Sequence, residues 1–168
     1  LSICTEMNID NAQTANLKRR MKLTEAAASK LWCNKSQFFY SRDLITNELC
    51  KVKTNAGLLT LFGYLANDAQ SASINETAKE WIDASEYAIA STHPSENLYE
   101  PQRYWRGPVW LHINWMIALG FDHYEYKQTA YTIQNKTNEL FGKSKFYEYF
   151  NANNGAGCGG GDFSWTAA

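Results

Sequence analysis

The chain has 168 residues, with 16 Lys and Arg against 17 Asp and Glu, and a formal net charge of −1. Hydrophobic residues make up 45% and aromatic residues 14% of the sequence, which is typical of a folded globular domain and excludes a disordered acidic chain. The near-zero charge argues against a nucleic-acid binder, and no run approaches the ~18 apolar residues of a membrane span. We therefore expect neither nucleic acid nor a membrane as a partner.

Hydrophobic periodicity predicts a first helix over about residues 11–33, followed by a short extended piece at 38–40 and a turn at 55–57. The inner face of this helix consists of residues spaced four and three apart: Leu17, Met21, Thr24, Ala28 and Leu31. A second helix is predicted to begin with Asn67 or Asp68 as N-cap and to end near residue 84. Its inward residues are Ile74, Ala78, Trp81 and Ile82. Three prolines then interrupt the chain in a loop over 91–108.

A third helix is predicted over about residues 109–119, with Pro108 in its first turn. It is apolar nearly all round, which predicts burial on all sides. One face carries Trp110, Ile113, Ile117 and Phe121, and the other carries Leu111, Trp115 and Leu119. A one-sided helix is predicted over about 124–141, with Gly142 as its C-cap. Its stripe is Tyr126, Ala130, Ile133, Thr137 and Leu140. An inner and an outer helix of a helical barrel show this pattern, so we predict an all-α fold.

The segment 104–110, Tyr-Trp-Arg-Gly-Pro-Val-Trp, places three rings and a guanidinium in a loop restrained by proline and glycine. Tyr104, Trp105 and Trp110 suit a ligand with apolar faces and polar edges, and a sugar is such a ligand. Arg106 and Asn114 could bond its hydroxyls. An aromatic junction between a loop and a core helix explains the same residues about as well.

The segment 146–150, Phe-Tyr-Glu-Tyr-Phe, surrounds one carboxylate with four rings. Burial among rings disfavours the ionised form of a carboxyl group, which makes Glu148 a candidate general acid or base. An edge residue that points to water is an equal alternative.

The third notable segment, 151–162, is rich in glycine and contains a match to G-x-G-x-x-G. We do not interpret it as a dinucleotide site, because no strand–helix–strand unit surrounds it. A mobile or closely packed loop beside a site is the better interpretation, with Ser164 as N-cap of a following helix.

The three histidines and four cysteines lack metal-ligand spacing, so we expect neither a metal nor a cofactor. The compartment stays open, with the cytoplasm slightly favoured.

Taken in order, the 104–110 segment, Ile113-Asn114-Trp115, the 146–150 segment and Phe-Ser-Trp-Thr at 163–166 closely resemble the C-terminal part of glycoside hydrolase family 63. This family includes processing α-glucosidases and the mannosylglycerate and glucosylglycerate hydrolases. The resemblance implies the C-terminal portion of an (α/α)6 barrel, hence a partial domain over residues 1–168. It also implies an inverting hydrolase of an α-glucoside or α-mannoside.

The resemblance assigns roles position by position. Glu148 matches the general base, and Trp110 matches the tryptophan that stacks on the sugar. Tyr104 and Trp105 match positions on the aglycone side, and three further residues match positions near the pocket: Arg106, Asn114 and Trp165.

The family's general acid is an aspartate in a preceding segment, and no match to it is found here. We therefore expect the remainder of the barrel, in the same parent chain or another, to supply it, and this chain alone to be inactive. The start at Leu1 and the end just after a predicted helix start agree with a segment of a longer protein. A non-catalytic carbohydrate-binding remnant and a structural half-barrel are the alternatives.

Overall fold

A computed structural model of the protein describes residues 12–167. Its helices are α1 (Ala12–Ala28), α2 (Asn55–Phe62), α3 (Asp68–Ala84), α4 (Leu111–His123), α5 (Lys127–Ser144) and α6 (Ser164–Ala167), with a 3-10 turn at Ser29–Leu31. Three antiparallel two-stranded ladders pair β1 (Trp32–Cys33) with β2 (Phe38–Phe39), β3 (Ser41–Arg42) with β4 (Leu49–Cys50), and β5 (Tyr149–Phe150) with β6 (Gly157–Cys158). The predicted helical class is confirmed, and the ladders are short additions to it.

The main core lies between α2, α3, α4, α5 and strand β2. Its largest fully buried side chains include Phe38, Trp81 and Phe121. Helix α4 crosses close to the end of α2 at Gly120, where a Cβ atom would stand 2.6 Å from the backbone nitrogen of Phe62. A second, smaller cluster, which includes Val109, Leu140 and Phe150, lies under the loops that carry the candidate site.

Helix α3 agrees with the prediction. The Asn67 side chain accepts from the Gln70 backbone N–H at 2.9 Å, and the Gln70 side chain accepts from the Asn67 backbone N–H at 3.0 Å, which completes a capping box. All four predicted inward residues are buried. The extended piece at 38–40 is also confirmed, because Phe38 and Phe39 form β2.

Three predictions for the first third of the chain are wrong. Helix α1 ends at Ala28, because Trp32 and Cys33 pair with β2; its predicted first residue lies outside the described residues. Leu17, Met21 and Thr24, expected to face inward, are exposed. The predicted turn at 55–57 is the start of helix α2. Gly57 permits close packing there, since a Cβ atom would stand 2.5 Å from the carbonyl oxygen of Phe39.

The second half needs four corrections. Pro108 precedes helix α4, because Val109 is held in an extended ladder and the helix begins at Leu111. The helix is buried on one side, whereas Trp115 on the other is 59% exposed. Gly142 lies inside α5, whose C-cap is Lys145 with a positive φ of 62°. Ser164 is the first residue of α6 rather than its N-cap.

In the part of the chain that the structure describes, no helix combines the length and the apolar character that a membrane span requires. The same residues contain no group of three or more His, Cys, Asp or Glu side chains placed to hold a metal ion.

Candidate active site

A short backbone ladder brings the two aromatic segments together. The Val109 N–H donates to the Phe150 carbonyl at 2.8 Å, and the Phe150 N–H donates back at 2.9 Å. Val109 also bridges to Ala90 on its other side. The neighbouring residues Trp110 and Tyr149 therefore meet, with ring centroids 5.1 Å apart and planes at 29°. The two aromatic segments of the sequence thus form one surface.

Trp110 is the buried centre of this surface. Trp105 stacks on it with centroids 4.0 Å apart and planes at 4°, while Tyr149 stacks against it as well. The Trp110 side chain is 0% exposed, and its indole N–H donates to the Tyr104 carbonyl at 3.2 Å. In this conformation a sugar reaches Trp110 only if Trp105 moves aside. Trp105 itself is 41% exposed and is the open ring of the stack.

Tyr104 connects the stack to the candidate base. Its ring lies edge-on to Trp110 and Tyr149, and its hydroxyl donates to Glu148 Oε1 at a long 3.4 Å. The backbone of Tyr104 has a φ of +44°, in the left-handed region that a bulky residue rarely adopts. Such strained backbone is found most often at ligand-binding and catalytic sites, where the surrounding structure holds it in place.

Glu148 is half-buried beside Tyr104, at the start of the β5–β6 hairpin. Four rings do not enclose it as the sequence suggested: Phe146 and Tyr147 are exposed, whereas Phe150 points into the small core. Burial, followed by the nearby Cys158 and Glu148 groups, raises the pKa of Tyr149. At neutral pH the Tyr149 hydroxyl therefore stays protonated. No sequence motif assigned it a role, although it directly follows Glu148.

Arg106 holds its own loop together. Its Nε donates to the Leu98 carbonyl at 3.1 Å, and its guanidinium pairs with Glu100 at 2.9 Å. Gly107 beside it permits the tight passage, because a Cβ atom there would collide with the Glu100 backbone. The guanidinium is thus engaged within the loop, and its predicted bond to a sugar hydroxyl is not prepared in this conformation.

Asn114 also differs from its predicted place. The side chain is 0% exposed, and its amide accepts from the Ile89 N–H at 2.9 Å. Its two N–H groups donate to the carbonyls of Ile89 at 2.9 Å and Trp110 at 3.1 Å. No donor of this amide remains for a hydroxyl, so the structure gives Asn114 a bracing position under the site.

Trp165 lies on the flank of the stack, 52% exposed, with its ring 5.1 Å from His112. Both residues line an open pocket of about 600 Å³ between α4, α5 and α6, a size common for small-molecule sites. Neither Glu148 nor Trp105 lines this pocket. Burial lowers the pKa of His112, which favours a neutral imidazole there. No motif in the sequence indicated this pocket.

Comparisons with known proteins identify the family of this chain. A family model described as a mannosylglycerate hydrolase MGH1-like glycoside hydrolase domain matches residues 3–166. The chain belongs to this family. The predicted resemblance to glycoside hydrolase family 63 is confirmed, and the fold is that of part of an (α/α)6 toroid.

Among curated proteins, the MGH1-like domain is 36% identical to the mannosylglycerate hydrolase of Thermus thermophilus over 144 residues, covering 86% of this chain and 35% of that protein. It is 38% identical to mannosylglycerate hydrolase MGH1 of Selaginella moellendorffii over 127 residues, covering 76% of this chain and 26% of that protein.

Among solved structures, the domain matches a GH63 mannosylglycerate hydrolase from Thermus thermophilus in complex with Tris and D-glycerate. The TM-score is 0.89 at 32% identity, over 99% of this chain and 40% of the other. The complex of that hydrolase with glucose matches with a TM-score of 0.83 at 36% identity, over 85% and 36% of the two chains. The domain therefore spans about a third of the length of these relatives.

Proposed function

We propose that this MGH1-like domain supplies the general base of a hydrolase that cleaves an α-glycosidic bond with inversion. The observation that carries the proposal is the position of Glu148. Its carboxylate is half-buried beside Tyr104, at the edge of a stack of aromatic rings, in a chain of a glycoside hydrolase family. Inverting glycosidases use a carboxylate as the general base that activates a water next to the sugar.

In the proposed reaction, Glu148 removes a proton from a water, and the water oxygen attacks the anomeric carbon from the face opposite the leaving group. A carboxylic acid on the other face protonates the leaving oxygen as the glycosidic bond breaks. The two carboxyl groups of an inverting enzyme stand about 6.5–9.5 Å apart, which leaves room for the water. We propose that the remainder of the barrel supplies this acid, in the same parent chain or another.

The ring stack supplies the sugar-binding surface in this proposal. Trp105 offers an exposed indole, and Trp110 stacks in parallel against it at 4.0 Å, so the ring is held rigidly. Hydroxyls of Tyr104 and Tyr149 provide polar groups at the edge. We propose that a sugar stacks directly on Trp110 only in a conformation in which Trp105 has moved away. Trp165 borders the surface on the side of the pocket.

We propose an α-mannoside or α-glucoside with a small acidic aglycone of the glycerate type as the substrate. The support comes from the relatives, whose names specify mannosylglycerate hydrolysis, and from solved relatives in complex with glucose and with D-glycerate.

The experiment follows the hydrolysis of α-mannosylglycerate and α-glucosylglycerate by the full-length protein, with ¹H NMR detection of the first-formed anomer. We expect the β-anomer to appear first, because a single displacement inverts the anomeric carbon. A first-formed α-anomer would refute a general base in favour of a nucleophile. Sugar binding without turnover would favour the non-catalytic, carbohydrate-binding alternative.

A further inference from the structure

The glycine-rich segment that follows Glu148 packs directly on it. The Glu148 backbone N–H donates to the Gly160 carbonyl at 3.0 Å, and Tyr149 pairs with Cys158 in the adjacent ladder. The backbone of Glu148 is therefore fixed by the opposite strand of the hairpin rather than by its own segment.

Gly159 determines the space available to the side chain of Glu148. A Cβ atom at this position would stand 2.8 Å from Glu148 Cβ and closer still to its Oε2 oxygen, and 3.0 Å from a ring carbon of Tyr149. Gly159 also has a φ of +72°, in the region that favours glycine. The opposite carboxylate oxygen, Oε1, receives the hydrogen bond from Tyr104. The carboxylate thus lies between the bare backbone of Gly159 and the Tyr104 hydroxyl.

We propose that Gly159 is a positioning residue for Glu148: its lack of a side chain lets the carboxylate occupy the place where Tyr104 bonds it. This inference rests on the proposed role of Glu148 as general base. It gives the glycine-rich segment a function that its resemblance to a nucleotide-binding motif does not.

The consequence for catalysis follows from distance. A general base must lie within about 2.6–3.2 Å of the group it deprotonates. Ordinary contact of a Cβ atom begins at 3.4 Å, so a methyl group at 159 must push the carboxylate aside. A misplacement of about 1 Å costs about 100-fold in rate. The loss should appear mainly in kcat, because the nearest atoms to this Cβ would be those of Glu148 and the ring edge of Tyr149, and not Trp105, the exposed ring of the sugar-binding surface.

The test compares Gly159→Ala with two matched glycine variants in the full-length protein. Gly155→Ala imposes the same backbone strain, since its φ is +71°, but its Cβ meets the Tyr87 ring at 2.9 Å instead of Glu148. Gly161→Ala would place its Cβ 3.9 Å from a Tyr147 ring carbon, in open space. Gly159→Asn is a second variant at the key position, because asparagine tolerates a left-handed backbone while still carrying a Cβ atom.

We expect Gly159→Ala and Gly159→Asn to lower kcat about 100-fold while KM stays within a few-fold of the wild-type value. The acidic limb of the kcat/KM pH profile should also change, because a general base acts in its deprotonated form and the surroundings of this base change. Gly155→Ala should lower Tm but keep the kcat per folded molecule, and Gly161→Ala should change neither. Active-site concentration is normalised by sugar-binding titration, so a partly folded variant is still measured.

Wild-type kcat and an unchanged pH profile in both Gly159 variants would overturn the inference. An equal loss of kcat in Gly155→Ala would also overturn it, because general loop strain would then be the cause. Glu148→Gln, measured in the same assay, separates the proposed role of Glu148 from that of Gly159. If this variant keeps wild-type kcat, the proposed role of Glu148 fails; if it is inactive while the Gly159 variants are not, the positioning role alone fails.

Discussion

A substitution of Asn114 tests whether its buried amide braces the backbone or contacts a sugar. The amide bonds the N–H and the carbonyl of Ile89, 25 positions earlier in the chain, and Ile89 is itself fully buried. The next residue, Ala90, bridges to Val109, and Val109 bridges to Phe150. A continuous series of backbone contacts therefore leads from Asn114 to the strand beside Glu148.

Asn114→Ala removes both partners of the Ile89 backbone while the surrounding side chains keep water out. A buried backbone group without a partner costs about 1–3 kcal/mol, so the two groups together give about 2–6 kcal/mol. A loss near the middle of this range, about 4 kcal/mol, corresponds to a fall in Tm of roughly 8–16 °C for a domain of this size.

The assay is urea unfolding followed by circular dichroism, with sugar affinity measured by calorimetry on the folded variant. Asn138→Ala is the control, because Asn138 is exposed on α5, and we expect its effect to stay within about 0.5 kcal/mol. The bracing role is refuted if Asn114→Ala loses less than about 1 kcal/mol of stability yet binds sugar more weakly. That result would restore the sugar contact.

Three further predictions concern other parts of the domain. Trp105→Ala should weaken sugar binding by about 1 kcal/mol, about fivefold in Kd, because the open ring of the stack is lost; an unchanged Kd by calorimetry contradicts this. Gly142→Ala should raise the free energy of unfolding by about 0.5–1 kcal/mol, because Gly142 lies inside a helix with open space around it; destabilisation in urea would instead indicate a C-cap. Burial and the charge of Lys53 lower the pKa of His93, so the stability contributed by its neutral form is complete above the unfolded pKa of about 6.5 and is lost as pH falls through the folded value. We therefore expect the free energy of unfolding to fall below pH ~6.5, less steeply in His93→Gln; identical pH slopes for the two proteins contradict this.

The sequence predicts an element well when the features that stabilise it lie within a few residues of each other. Helix α3 carries a capping box and a one-sided stripe, and both features act within a few residues of each other. Helix α2 has eight residues, too few for a clear period, and its Gly57 indicates a turn unless the approach of Phe39 is known. The open side of α4 at Trp115 was unpredictable for another reason, since burial of an apolar face depends on what packs on it.

In the candidate site, too, some features could be predicted from the sequence and others could not. The aromatic motif and Glu148 stand out by composition, and the structure places them together. The hydrogen bonds of Asn114 to the Ile89 backbone could not be predicted, because Ile89 is distant in sequence. The covering of Trp110 depends on the turn at Tyr104, whose left-handed backbone no residue preference predicts.

The role of Glu148 as general base is tested most directly by kcat of the Glu148→Gln variant of the full-length protein, measured beside its sugar Kd. Removal of a general base costs about 10²–10⁴-fold in rate, while a neutral amide of the same shape leaves the ring surface intact. We expect kcat to fall by that factor with an unchanged Kd, and the exposed control Glu139→Gln on α5 to keep wild-type kcat. Wild-type kcat in Glu148→Gln would contradict the assignment of the base.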